Sequence, residues 1–159
     1  MDVSVKTKAA LRVACARATG PYTTSSKEAW VKLIAWAGPR ELFVEGALCL
    51  GMGHDTPSLT PASMLRYDAC VTVGPEVVAE GETTIGEIPG GEYAVLLHKG
   101  PYEGLEASYR HIYQEWLPKS GRRAALLPPY EVYVNTPETT APEELLTEIN
   151  VLLAPLDAE

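Results

Sequence analysis

The 159-residue sequence is short of several things that announce common functions. It has one phenylalanine, three histidines and three cysteines. His54, His98 and His111 stand at no metal-ligand spacing from a cysteine or an aspartate, so no metal and no other cofactor is expected. Cys15, Cys49 and Cys70 are odd in number, contain no Cys-x-x-Cys pair and each lie in an apolar, strand-like segment. They read as small buried hydrophobes in a reducing compartment. Cations are scarce: 13 Lys and Arg against 21 Asp and Glu leave a formal charge of −8. Binding nucleic acid by phosphate neutralisation needs clustered Lys and Arg, and the one small cluster is Lys119, Arg122 and Arg123 in a loop, so no direct nucleic-acid partner is expected. No apolar run approaches the roughly 20 residues of a membrane helix, and Met1–Ala10 has no following apolar stretch of the kind a signal peptide carries. A cytoplasmic protein without membrane contact is the expectation. There is no P-loop and no G-x-S-x-G elbow, and Gly51-Met52-Gly53 is a mere fragment of a dinucleotide fingerprint.

What is present is a repeat. Hydrophobic residues at 46% and charged residues at 21% mark a chain that folds around a core. Gly20-Pro21-Tyr22 recurs 80 residues later as Gly100-Pro101-Tyr102. At the same offset Trp36 falls on Trp116, Thr56-Pro57 on Thr136-Pro137, Leu65 on Leu145 and Val71 on Val151. A turn tripeptide, a helix tryptophan and a second turn in constant register indicate two copies of one unit of roughly 80 residues.

Each copy opens with a short apolar strand closed by Gly-Pro: Leu11–Ala18 in the first, Tyr93–His98 in the second. A helix follows. In the first copy Ser25 and Glu28 read as a capping box, with Ala29, Trp30, Leu33, Ile34, Trp36 and Ala37 as its apolar stripe and Gly38-Pro39 as its end. In the second, Leu105, Tyr109, Ile112, Tyr113 and Trp116 form the stripe and Pro118 stops it. Two strands come next, Ala47–Met52 and Leu65–Val73, then Tyr130–Val134 and Leu146–Leu153. The expected architecture is α+β: duplicated strand–helix–strand–strand units with pseudo-two-fold symmetry, and helices packed on antiparallel sheet. Repeat one spans about 8–74 and repeat two about 88–153 of a single domain. The linker 75–87 has room for an extra edge strand near Thr83–Glu87.

A groove between two such repeats is a preferred place for a small molecule. Alternation along Tyr130–Asn135 puts Glu131, Tyr133 and Asn135 on one face and Val132 and Val134 on the other, the face expected to pack under the helix. The first copy has Gly51 and Gly53 where the second has Glu131 and Tyr133. One copy thus offers a carboxylate and a phenol where the other offers bare backbone. A carboxylate among apolar and aromatic neighbours is costly to desolvate unless paired, and a cationic or hydrogen-bonding ligand can be that partner. Eight tyrosines and three tryptophans supply walls for flat amphipathic molecules. The candidate ligand-binding residues are Glu131, Tyr133, Tyr102, Tyr109, Tyr67, Trp36, Trp116, Gly51 and Gly53.

The segments Leu65–Cys70, Ile88–Val95, His98–Tyr102, Trp116–Pro118 and Tyr130–Tyr133, in that order, resemble the GyrI-like small-molecule-binding superfamily. That group includes DNA gyrase inhibitors and the effector-binding domains of transcription activators. The resemblance covers about residues 8–153. It implies a duplicated fold with a ligand groove, and Glu131 matches the family's signature glutamate within it. It further implies a stand-alone module holding an amphipathic organic molecule, which in the multidrug-sensing members is cationic. Two alternatives come with the family. One is a hydrolase of strained electrophilic genotoxins, with Glu131 as the base that activates water. The other is an inhibitor that binds DNA gyrase as a protein partner.

Overall fold

Runs of small, β-branched and aromatic residues at two-residue periodicity form eight strands in the computed structural model, which describes residues 1–156. They are β1 (Val3–Lys8), β2 (Leu11–Thr19), β3 (Cys49–Gly53), β4 (Arg66–Thr72), β5 (Thr83–Ile88), β6 (Gly91–Lys99), β7 (Tyr130–Tyr133) and β8 (Leu146–Leu152). Helix α1 (Tyr22–Ala37) follows β2. The matching stretch after β6 runs through α2 (Leu105–Arg110), a π-helical segment (His111–Trp116) and α3 (Leu117–Ser120). The strand pairings are antiparallel and helices pack on the sheets, which is the α+β class expected.

The chain forms two compact units. One is continuous, Ala10–Pro89, with strand order β3-β4-β2-β5. The other joins Met1–Ala9 to the chain from Gly90 onward, with order β1-β6-β8-β7. The strand anticipated near Thr83–Glu87 is β5. Strand β1 was not anticipated. The pairs β1/β5, β2/β6 and β4/β8 lie 80 residues apart at both ends, so each repeat is strand–strand–helix–strand–strand. The opening strand of each repeat is exchanged: β1 pairs with β6, and β5 pairs with β2.

In the continuous unit α1 lays Ser25, Ala29, Leu33 and Ala37, one residue per turn, on Ala14, Ala16 and Ala18 of β2 and Tyr67, Ala69 and Val71 of β4. Alanines at these strand positions let the helix approach closely, and Leu33 is fully buried there. In the split unit Ile112 and Leu117 pack on Ala94, Leu96, Ile149, Val151 and Leu153, with Leu105, Tyr109 and Trp116 against the same core.

Four expectations about the helices need correction. Helix α1 starts at Tyr22, with Pro21 as its N-cap and no side-chain cap bond. Ser25 is therefore a buried residue of the second turn, not a cap, because proline's fixed φ already sets the entry. Ile34 is half exposed rather than part of the buried stripe. Pro118 does not stop the second helix. A proline removes one helical N–H and crowds the carbonyl four residues back. The π turn absorbs this by bonding the Leu117 N–H to the Ile112 carbonyl, five residues back. The helix continues to Ser120 and ends at Gly121, in the left-handed conformation at φ +74°. The core contact then steps by five from Ile112 to Leu117, and Tyr113, expected in the stripe, is left 38% exposed.

Candidate functional site

The register of β7 on β8 decides which way Glu131 points. Glu131 lies opposite Ile149, and Tyr133 opposite Thr147. Directly opposed residues share a face. Ile149 packs in the core beneath Ile112 and Leu117. Glu131 and Tyr133 therefore sit on the face that carries the helix. Val132 sits on the other face with Tyr130, whose ring meets Tyr93 edge-on at 5.5 Å. This reverses the face expected to pack under the helix. Alternation says which residues share a face, but not which face the helix covers.

Under that helix the carboxylate is clasped from two sides. Tyr109, from α2, donates its hydroxyl to Glu131 Oε2 at 2.6 Å. Tyr133, two residues along β7, donates to Oε1 at 2.9 Å. The Tyr102 ring packs edge-on against Tyr133, with centroids 5.9 Å apart. Burial raises the Glu131 carboxyl above its ordinary value, and the two tyrosine donors and the His98 side chain pull the other way without cancelling it. Burial and the nearby Glu131 charge together push the Tyr102 phenol up. Among the described residues no Lys, Arg or His forms an ion pair with Glu131.

His98, on β6, completes this corner, although the sequence reading gives it no part beyond closing the strand before Gly100-Pro101-Tyr102. Its Nε2 lies 3.0 Å from the Pro101 carbonyl, which can only accept, so Nε2 carries the proton. Its Nδ1 then accepts from the buried Ser108 hydroxyl at 2.9 Å in the neutral form. The ring ties β6 to the start of α2 and so fixes the turn from which Tyr102 and Tyr109 project. The spacing of His98 and Ser108 around the Gly-Pro-Tyr turn was the available signal.

Four of the nine candidate residues thus come together in the split unit: Glu131, Tyr133, Tyr109 and Tyr102. Trp116 lies in the same unit, against its core. Tyr67, Trp36, Gly51 and Gly53 belong to the continuous unit. There Trp30 Nε1 donates to the Tyr67 hydroxyl at 3.1 Å, and the Arg40 guanidinium lies 4.8 Å from the centre of the Trp36 ring. Gly53 occupies the position of Tyr133, and the space beside it is taken by the Tyr22 ring: a Cβ at Gly53 would meet Tyr22 Cζ at 3.0 Å. Tyr22 donates to the Asp55 carbonyl at 2.6 Å and accepts from the Asp55 N–H at 3.0 Å. The same turn tyrosine packs beside a bare strand in one repeat and against a tyrosine-clasped acid in the other.

The GyrI-like small molecule binding domain family matches residues 1–154. The chain belongs to that family. This GyrI-like chain is 30% identical over 126 residues to the probable transcriptional regulator YgiV of Escherichia coli K12, covering 77% of this chain and 78% of YgiV. It is 27% identical over 139 residues to a DNA gyrase inhibitor of Erwinia billingiae, covering 85% and 87%. Among solved structures, the EcmrR C-terminal domain superposes with a TM-score of 0.78 at 21% identity, covering 98% of each chain. The structure of SAV2435 bound to tetraphenylphosphonium gives 0.64 at 14% identity, covering 97% and 94%. These structural likenesses concern the fold. The family makes the GyrI-like chain a small-molecule-binding module. Among its described residues no helix is long and apolar enough to cross a membrane.

Proposed function

We propose that this domain binds an amphipathic organic cation against Glu131, with Tyr102, Tyr109 and Tyr133 as the aromatic contacts. The observation that carries the reading is a part-buried carboxylate held by two phenols, with His98 nearby but with no ion pair to a Lys, Arg or His among the described residues. The tyrosines hold the acid in place by hydrogen bonds, yet leave its charge uncompensated. A soft cation can supply that compensation and gain from the ring faces as well. The tetraphenylphosphonium bound to SAV2435 is such a cation and supports the same chemistry here.

The test is calorimetric titration of tetraphenylphosphonium and of neutral triphenylphosphine oxide into wild type and Glu131→Gln. The cation should bind at least about tenfold more weakly to the variant, about 1.4 kcal/mol, while the neutral compound loses little. Equal losses for both, or none for the cation, would overturn the role of Glu131. A hit consumed by wild type but not by the variant would instead favour Glu131 as a general base, with water displacing one tyrosine hydroxyl. The gyrase inhibitors among the relatives favour a second reading, contact with DNA gyrase. Its check is inhibition of supercoiling by wild type and by Glu131→Gln alike.

A further inference from the structure

In the continuous unit Cys15 of β2 stands directly opposite Cys70 of β4, and their thiols lie 2.8 Å apart. Both are free and buried. The hydrogen bonds at the two ends of this pair of strands fix the kind of site it is. Gly20 N–H bonds to the Leu65 carbonyl at 2.7 Å and Val73 N–H to the Arg12 carbonyl at 3.0 Å. In an antiparallel pair, hydrogen-bonded and non-hydrogen-bonded residue pairs alternate. Counting from either end, Cys15–Cys70 is a non-hydrogen-bonded pair, the kind whose Cα atoms stand about 4.5 Å apart. Disulfides span Cα separations of about 4.4–6.8 Å. The bond can therefore close without moving the strands, but at the tight end of the range, where strain makes a disulfide easier to reduce.

We propose that Cys15 and Cys70 are a reversible thiol–disulfide pair that a peroxide oxidises. The third cysteine does not compete. Cys49 of β3 is registered with Val71, whereas Leu50 is registered with Cys70, so Cys49 points to the opposite face. Cys15, 8% exposed against 0% for Cys70, is the first to react. Its thiolate attacks the peroxide, the O–O bond breaks, and the departing hydroxide takes a proton to leave as water. The Cys70 sulfur, giving up its proton, then attacks the Cys15 sulfenic acid. The S–S bond forms, the S–O bond breaks, and a second water leaves. Two thiols and one hydrogen peroxide thus give one disulfide and two waters, and a dithiol reverses the change by exchange. Burial and the neighbouring Cys15 hold the Cys70 thiol in its protonated form, so the step waits on brief opening of the strands.

The experiment treats the full chain with hydrogen peroxide, removes the excess with catalase, and alkylates in guanidinium before intact-mass and peptide analysis. Reactive thiols should fall from three to one, with loss of two hydrogen atoms, a linked peptide pair carrying Cys15 and Cys70, and full recovery in dithiothreitol. Cys49→Ala should form the same link, and Cys70→Ala should not form it. Three unchanged thiols, at a dose that oxidises glutathione in the same tube, would overturn the proposal. So would a link through Cys49 or between two chains, or added oxygen on Cys15 or Cys70 without a link.

Discussion

Replacing Glu131 by glutamine removes a charge while keeping shape and one oxygen acceptor for a tyrosine hydroxyl, so its effect on folding separates burial from hydrogen bonding. Two donors favour the anion, at 2.6 and 2.9 Å, yet burial wins and the folded carboxyl titrates above its ordinary value of 4.5. Below pH 4.5 the acid is neutral in folded and unfolded chains alike, and its contribution to stability is fully present. As pH rises through the folded value, the folded chain must ionise Glu131 at a cost the unfolded chain does not meet, and that contribution is lost. Each unit by which the folded value exceeds 4.5 corresponds to about 1.4 kcal/mol. The neutral amide of the variant carries no such cost. Urea unfolding of both proteins at about pH 4 and about pH 8 should therefore show the variant gaining on wild type at the higher pH. The double difference cancels every group that titrates in both proteins. A difference of zero, or wild type gaining on the variant, would mean that the phenols outweigh burial, and the account of the site's electrostatics would fall.

Two further outcomes follow from the continuous unit. Gly53→Ala should cost about 1–3 kcal/mol in chemical unfolding, because the new methyl pushes the Tyr22 ring off its two bonds to Asp55; a neutral effect would show that Tyr22 has room to move. Asp68 accepts from Arg17 at 2.8 and 3.1 Å and lies 2.7 Å from His54 Nε2, and although burial pushes its carboxyl up, these partners outweigh it and hold the carboxyl below its ordinary value of 3.8. Asp68→Asn should then cost about 1–2 kcal/mol near pH 7, kept modest by the half-exposed Arg17. The cost should shrink as pH falls below 3.8, where wild type loses the same contribution; a gap that does not narrow by pH 3 would refute the pairing as its source.

The repeat was legible because it rests on turn chemistry. Gly20 and Gly100 adopt φ of +138° and +129°, which side-chain-bearing residues rarely adopt, so both copies keep Gly-Pro at the same place. The exchanged strands were less legible, since edge strands carry polar residues. Even so, Ser4-Val5 and Thr84-Ile85 match conservatively at the 80-residue offset and were the missed signal. The π turn was hidden because proline is ordinarily a stop, and only the packing of both Ile112 and Leu117 shows why the helix runs on. At the site, alternation pairs Glu131 with Tyr133 on one face of the strand, as the register has it, but the side of the sheet they face was not legible. The Val132 face looks like the natural inner face of the strand, and a buried glutamate becomes tolerable only once Tyr109, 22 residues away in sequence, supplies its donor.

The exchange of β1 and β5 sets a timetable for the growing chain. The continuous unit holds β2, α1, β3, β4 and β5 in unbroken succession, so it can close while the rest is still being made. Strand β1 is synthesised before that unit and yet has its partner β6 only after the whole unit has been translated. At roughly 5–20 residues per second, the delay is about 4–17 s. During it an unpaired strand, in which Val3, Val5 and Thr7 alternate with Ser4, Lys6 and Lys8, waits beside a finished unit in the chain. Its alternating lysines, Lys6 and Lys8, are the kind of residue that keeps a waiting edge from pairing with the wrong strand.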